Sequence, residues 1–232
     1  MIELYFWTTP NGMKPLIFLE ETGLTHDIHP VNISMGAQVS EAFTRVSANQ
    51  GIPALIDRAP FSGPAPVSLF ESGAILLYLA EKTGRFLPAD MAGRAETLQW
   101  LFWQMGGLGP MLGQYLHFNA YADEAVPYAQ ARYGRELARL YRVLDDRLRG
   151  RDFVAGSYAI ADMAIYPWIH RLEREGPHLA GFPNLSRWHA AVSQRPAVAR
   201  AYASARAVNT VPTINKDSKA LLFGRGAERR AA

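Results

Sequence analysis

Ile2, Leu4 and Phe6 alternate with Glu3, Tyr5 and Trp7, the two-residue period of a mostly buried strand. The run stops at Thr8-Thr9-Pro10-Asn11-Gly12, where a turn must follow. Leu16, Phe18, Leu19 and Leu24 then recur at helical spacing, with Pro15 placed in the first helical turn and Thr22-Gly23 as the stop. Asp27 to Val31 reads as a second strand, Asn32 to Ser40 as a polar loop, and Ala42 to Val46 as a short helix. Ala54-Leu55-Ile56 and Val67 to Phe70 are two further strands, separated by a proline-rich surface loop from Arg58 to Pro66. From Glu71-Ser72-Gly73 the period becomes helical, through Ile75, Leu76, Leu79 and Ala80.

Gly84 to Gly93 closes this α/β portion, and beyond it strand patterns give way to helices. The expected division is therefore an α/β domain over 1–85, an all-helical domain over 93–205 and a tail over 206–232. Thr97 to Gln104 (TLQWLFWQ) carries a helical apolar side. Gly107 and Gly109 lack the third glycine and the preceding strand of a dinucleotide loop, so Gly106 to Pro110 is expected to bend a helix and admit a close backbone approach. Ala125 to Gly150 is a long amphipathic helix, and Arg132, Arg135 and Arg139 recur along it at spacings that make a positive stripe if all face outward. Trp168, His170, Trp188 and His189 are better explained by packing than by metal binding. After Pro196 to Tyr202 the periodicity fades into a partly ordered tail with Lys216, Lys219, Arg225, Arg229 and Arg230, in which Ala220 to Phe223 is apolar enough to dock.

Composition adds exclusions. The chain has 232 residues, 49% hydrophobic and 19% charged, enough for two small domains. A net charge of +3, with basic residues scattered among acids, gives no reason to expect nucleic acid. With no cysteine at all, disulfides, thiolate-ligated zinc and a protein-borne redox thiol are excluded. Any thiol chemistry must use a borrowed sulfur. Met1 leads into a strand without a basic segment, and Ala74 to Ala80 is too short to span a bilayer, so a soluble, cytoplasmic protein with no membrane partner is expected.

The chemistry concentrates between Asn49 and Lys82. Ser72 stands where a helix N-cap belongs, and the first helical amides, at the positive end of the dipole, suit a carboxylate. Glu71 offers the opposite charge, so the pair matches both ends of an amino acid. Pro53 permits a cis bond, and an extended Ile52 would present its backbone to a peptide. Singly, each reads as ordinary capping or strand-start chemistry.

Together, the Pro that opens a strand and the Glu-Ser-Gly-Ala-Ile that opens a helix resemble the glutathione-binding half of the glutathione transferase family. TPNG, LQWLFWQ and GGLGPMLGQ most resemble its nu class, whose bacterial members act as glutathione-dependent disulfide-bond oxidoreductases. The resemblance runs from residue 2 to about residue 200. It implies a thioredoxin-like α/β domain followed by an all-α domain, a homodimer, and glutathione, reduced or oxidised and up to two molecules per site, as substrate with no metal.

It also assigns residues: Ile52 and the cis Pro53 to the cysteinyl backbone, Glu71 and Ser72 to the γ-glutamyl end, Gln38 to the glycine carboxylate. Arg132 falls to a second glutathione. The loop after the first strand, which in this family contacts the sulfur, has no Tyr, Ser or Cys between Thr8 and Lys14. Thr9 and Asn11 are therefore the implied sulfur contacts; Lys14 could lend positive charge nearby but reads better as a surface lysine. Phe153 to Asp162 resembles the family's helical folding motif but carries Ala159 where the capping hydroxyl is expected, a loss of about 1 kcal/mol. The implied activity is reduction of a small-molecule disulfide by a bound glutathione thiolate. Conjugation or peroxide reduction, and a non-catalytic carrier or regulator of the same fold, stay open alternatives.

Overall fold

In a computed structural model, residues 1–61, 63–175, 179–211 and 213–224 are described. Strand β1 (Ile2–Phe6) leads into helix α1 (Pro10–Thr22), strand β2 (His26–Pro30), helix α2 (Glu41–Val46), the hairpin β3 (Ala54–Asp57) and β4 (Val67–Phe70), and helix α3 (Ser72–Thr83). The sheet order is β2-β1-β3-β4, with β1 parallel to β2 and β3 antiparallel to both its neighbours. This is the thioredoxin-like arrangement. The polar segment between β2 and α2 is not irregular: it forms two short 3₁₀ turns, Ile33–Met35 and Ala37–Val39.

Helix α1 starts five residues earlier than the pattern suggests. Thr9 is extended and its Oγ1 accepts from Gly12 N at 3.1 Å, while Pro10 takes the first helical position, where a missing N–H is harmless. The turn-like Thr-Pro-Asn-Gly is thus a cap running straight into the helix, and Pro15 lies inside it. Gly12 is required sterically, because a Cβ there would sit 2.2 Å from the Trp7 carbonyl oxygen.

At α3 the cap is likewise displaced by one residue. Glu71 precedes the helix at φ 72°, a left-handed conformation unusual for a non-glycine, and Ser72 is the first helical residue rather than the N-cap.

The helical part comprises α4 (Met91–Trp103), α5 (Gly109–Leu116), α6 (Pro127–Arg147), α7 (Ile160–Glu175), α8 (Pro183–Ser193), α9 (Pro196–Val208) and α10 (Lys216–Phe223). Gly106 and Gly107 lie in a π-helical turn, 104–108, that carries α4 into α5, and no atom approaches a Cβ at either of them within 4 Å. No backbone from outside this helical run is in close contact at Gly106, Gly107 or Gly109; at Gly109 it is a side chain, Gln104 Nε2, that a Cβ would meet at 2.7 Å.

One apolar core runs from sheet to bundle, through Leu4, Phe18, Leu76, Leu101, Leu112 and Ile165. Side chains of this size each contribute roughly 1.5–3 kcal/mol on burial. Helix α1 is thereby packed against α7 and α9.

Periodicity persists to Val208, beyond the expected end of the last bundle helix. The apolar run Ala220 to Phe223 belongs to α10, where the Phe223 ring packs edge-on to His117 and stacks on Tyr121. Lys219 pairs with Asp123 at 2.7 Å. Arg225, Arg229 and Arg230 lie outside the described residues. Among the described residues, no helix is long and apolar enough to cross a membrane.

Candidate active site

The carboxyl end of β1 is where four of the implied ligand residues, Thr9, Asn11, Gln38 and Ile52, line one cavity. Ala54 pairs with Tyr5 on one side and Phe70 on the other, so one further step along the sheet brings Pro53 beside Phe6 and Glu71. The Ile52-Pro53 bond is cis. A cavity of about 350 Å³ opens there, walled by Thr9 and Asn11 on one side and by Gln38 and Ile52 on another. Its opposite wall is helical, with Leu116 of α5 and Trp168 of α7, and Leu222 and Phe223 of α10 complete it.

Asn11 is held in one orientation. The Trp168 indole, which can only donate, gives its Nε1–H to Asn11 Oδ1 at 3.0 Å. The amide NH₂ therefore turns away from the indole with its donors available to an acceptor such as a thiolate. Thr9 Oγ1 already accepts the Gly12 amide as a helix cap, so the same hydroxyl retains its proton for donation. Capping thus leaves the hydroxyl free to donate to a ligand.

By pattern Trp168 reads as a packing residue, and nothing in its helical spacing separates an indole in the core from one braced against the first turn of α1. Trp168→Phe keeps most of the ring volume but removes the donor. Disulfide turnover is expected to fall about tenfold, roughly 1.4 kcal/mol for one hydrogen bond, while glutathione affinity measured by calorimetry changes less than threefold. Unchanged turnover would mean that the amide needs no orienting.

Gln38 is 2% exposed, and neither its Oε1 nor its Nε2 has a hydrogen-bond partner in the protein. An orphaned buried amide is unfavourable by about 1–3 kcal/mol. A polar ligand group in the cavity it lines would satisfy it, which is the fit expected for a peptide carboxylate.

Glu71 and Ser72 stand at the start of α3, outside the cavity lining, Glu71 exposed and Ser72 buried. The Ser72 hydroxyl is set by a residue that pattern alone put on the surface. Lys14 is 1% exposed, and its Nζ donates to Ser72 Oγ at 3.2 Å and Gln104 Oε1 at 2.7 Å, with Met105 Sδ at 3.3 Å. The interface with α4 and the following π-turn covers it, which sequence spacing on α1 does not reveal. Burial pulls the Lys14 ammonium down to about 7, opposed by the charge of Glu71.

A depressed lysine favours the folded state above its unfolded value and loses that contribution as pH falls through the folded value. The protein should therefore gain stability from pH 6.5 to pH 9 by this group, and Lys14→Met should abolish that gain in urea denaturation. At neutral pH the variant should lie within about 1 kcal/mol of the parent, because relief of a buried charge offsets the unpaired Gln104 and Ser72. A pH slope unchanged by the substitution would assign it to other groups.

Arg132 is exposed on α6 and lines neither this cavity nor its neighbour. Among the described residues, the arginine that lines the cavity is Arg171 of α7, which no sequence motif marks. Among the described residues, no group of three or more His, Cys, Asp or Glu gathers as a metal site.

Comparison with known proteins gives the same reading. The profile for the glutathione S-transferase N-terminal domain matches residues 1–81, and that for the C-terminal domain matches 127–191. Disulfide-bond oxidoreductase YfcG of Escherichia coli is 50% identical over 207 residues, covering 89% of this chain and 96% of that protein. Disulfide-bond oxidoreductase YghU of the same organism is 43% identical over 213 residues, covering 86% and 73%. A Burkholderia graminis glutathione transferase structure with two glutathione molecules per subunit superposes with a TM-score of 0.83 at 43% identity, covering 88% of each chain. A Pseudomonas putida glutathione transferase holding one glutathione disulfide per subunit gives 0.81 at 43% identity, covering 86% of this chain and 90% of that one. The two profiles together match well over half of the chain, and these relatives are similar to it across both parts, so this chain belongs to the glutathione S-transferase family.

Proposed function

We infer that this protein is a glutathione-dependent disulfide-bond oxidoreductase of the nu type, which uses a bound glutathione thiolate where other oxidoreductases use a cysteine. The observation that carries this is the convergence of Thr9 and an oriented Asn11 on one cavity, in a chain with no cysteine. Glu71 takes the γ-glutamyl ammonium, and Ser72 with the first α3 amides takes its carboxylate. Ile52 pairs with the cysteinyl backbone beside the cis Pro53, and Gln38 takes the glycine carboxylate. The Ser72 hydroxyl lies 3.6 Å from Met105 Sδ, a weak acceptor that a carboxylate displaces.

In the reaction, the glutathione thiolate attacks one sulfur of a substrate disulfide. The S–S bond breaks, a mixed disulfide forms, and the leaving thiolate departs with the electron pair and acquires a proton. A second glutathione then releases the other thiol, leaving oxidised glutathione. The two-glutathione and disulfide-bound relatives support a site for both, with Arg132 reaching toward the second molecule. We assign 1–85 to the thioredoxin-like domain, 93–205 to the helical domain and 206–232 to the tail, in a cytoplasmic homodimer. Met91 and Phe102, large apolar groups 87% and 64% exposed on α4, are suited to cover by a second copy.

The test is calorimetric titration with reduced and oxidised glutathione, followed by a hydroxyethyl disulfide reduction assay. Binding with turnover supports the reading. Faster turnover of a chlorinated aromatic than of the disulfide would favour conjugation, to which the apolar Leu116, Leu222 and Phe223 are suited. Binding without any turnover would favour a carrier.

A further inference from the structure

A lysine in the second turn of a helix ordinarily sends its ammonium to water, but Lys14 of α1 is 1% exposed. Its Nζ donates to Ser72 Oγ at 3.2 Å and to Gln104 Oε1 at 2.7 Å, with Met105 Sδ at 3.3 Å. All three partners are uncharged. Because the ammonium can only donate, Gln104 must turn its oxygen toward it, and Gln104 Nε2 is left buried without a partner among the described residues. The π-turn lies directly on the start of α3, since a Cβ on Gly73 would meet Met105 Cγ at 2.9 Å.

A buried ammonium is unfavourable unless a negative charge balances it. Among the described residues no carboxylate forms an ion pair with Lys14, and Glu71, exposed at the start of α3, acts on it through its charge alone. The π-turn brings only the neutral Gln104 and Met105, and α7 and α9, which also pack on α1, bring no charge to bear on it. An anion that meets the Ser72 hydroxyl, at the positive end of α3, would supply the balance. Ser72 Oγ accepts from Lys14, so its own proton points elsewhere, with only the weak acceptor Met105 Sδ at 3.6 Å.

The geometry points to Lys14 as a positioning residue for the γ-glutamyl carboxylate of glutathione: from behind the site it holds the Ser72 hydroxyl as a donor and supplies the buried positive charge that the arriving carboxylate balances. This rests on the glutathione-binding mode proposed above and adds a residue and a proton to it. Four charges then alternate: Lys14, the ligand carboxylate, the ligand ammonium and Glu71. Burial pulls Lys14 of the free protein down to about 7, so part of it is neutral at neutral pH, and a carboxylate beside it favours the charged form. Binding therefore takes up protons from solvent, with Nζ as the atom that receives them. The gain in affinity is full below the free value and is lost as pH rises through the higher value of the complex.

The test uses the full chain and two probes. One is S-methylglutathione, which has no thiol to titrate; the other is the same molecule with γ-aminobutyryl in place of γ-glutamyl, which keeps the ammonium and lacks the carboxylate. Calorimetry at pH 7.5 in phosphate and in Tris, whose ionisation heats differ, reads the protons exchanged. In the parent protein S-methylglutathione should take up about half a proton, and the decarboxylated probe close to none. Lys14→Met should abolish the uptake and weaken S-methylglutathione about tenfold at pH 6.5, the loss expected of one charge-assisted contact, shrinking to about twofold or less by pH 8.5. The decarboxylated probe should weaken less than about twofold at either pH, since it brings no charge to Lys14. The ligand's own amino group titrates alike with both proteins and cancels in the comparison.

Equal weakening of the two probes in Lys14→Met would overturn the assignment, leaving Lys14 a packing residue between α1 and the π-turn. Equal proton uptake with the two probes in the parent would do the same, in a comparison that needs no variant. Uptake confined to S-methylglutathione, in a protein that turns over no disulfide, supports the role of Lys14 and sinks the reductase reading alone. Absence of S-methylglutathione binding to the parent overturns both the glutathione-binding mode and this assignment.

Discussion

Asp162→Ala is expected to destabilise the protein by about 3–5 kcal/mol in urea denaturation at neutral pH. Asp162 is completely buried at the start of α7 and accepts three hydrogen bonds. Ala159 N–H reaches Oδ2 at 3.0 Å; Val154 N–H and the Trp188 indole reach Oδ1 at 3.1 and 2.8 Å. One carboxylate thus ties the helix cap, the preceding loop and α8 together. The half of the capping box that remains, Asp162, also reaches Val154 and Trp188, 8 and 26 residues away.

Removing the carboxylate strands three buried donors, each worth about 1–3 kcal/mol when unpaired. Relief of its desolvation offsets part of that. Asn in its place accepts through one oxygen but presents NH₂ where an acceptor is needed, so Asp162→Asn should lose less, about 1–2 kcal/mol.

The pH dependence separates the terms. Burial pushes the Asp162 carboxyl up to about 6, against the pull of the Val154, Trp188 and Ala159 donors. A carboxyl raised above its unfolded value contributes stability that is fully present below the unfolded value and is lost as pH rises through the folded one. The gap between parent and Asp162→Ala should therefore widen as pH falls from 7.5 toward 5. A gap that narrows instead would mean the three donors outweigh burial and hold the carboxyl low.

The strands, α3 and the change from sheet to bundle were legible because each rests on a local period. Ile2, Leu4 and Phe6 alternate because one sheet face is buried, and Ile75, Leu76 and Leu79 recur because one helix face is. The Glu-Ser helix start and the proline ahead of β3 were legible for a different reason: unusual backbone needs unusual residues. The misreadings share one cause. Lys14 looked superficial because its cover comes from Gln104 and Met105, some ninety positions along the chain. Trp168 does pack against the core, as its surroundings suggest, but its bond to Asn11, 157 residues away, leaves no local signal. Arg171 had no signal, since an arginine on an amphipathic helix is usually solvated, and only the folded loop and tail make it part of a wall. Pro15 drew the start of α1 inward, although Thr9-Pro10 is itself a cap followed by a favourable first residue.

Asn11→Ala should lower disulfide turnover about a hundredfold, equivalent to about 2.7 kcal/mol, while reduced glutathione still binds within about threefold of the parent affinity. In the proposed binding mode its amide meets only the sulfur end of the ligand, and Gln38, Ile52, Glu71 and Ser72 hold the rest. A thiolate is the species that attacks, and its fraction at neutral pH depends on how far hydrogen-bond donors hold the thiol below its free value near 8.5. Without the Asn11 donors, the pH–rate profile should move toward that value, and thiolate absorbance of bound glutathione at neutral pH should fall. Part of the lost rate should return at alkaline pH. Asn11→Asp should be worse than Asn11→Ala, since a carboxylate would repel the thiolate and desert the Trp168 donor only if protonated. Thr9→Val loses one donor and the α1 cap together, so its turnover loss should come with about 1 kcal/mol of lost stability that Asn11→Ala does not show. If Asn11→Ala left both the turnover and the pH profile unchanged, Thr9 would be the sulfur ligand on its own, and the orienting bond from Trp168 would have no catalytic purpose. A loss of glutathione binding as large as the loss of turnover would instead place Asn11 on the peptide frame of the ligand, away from its sulfur.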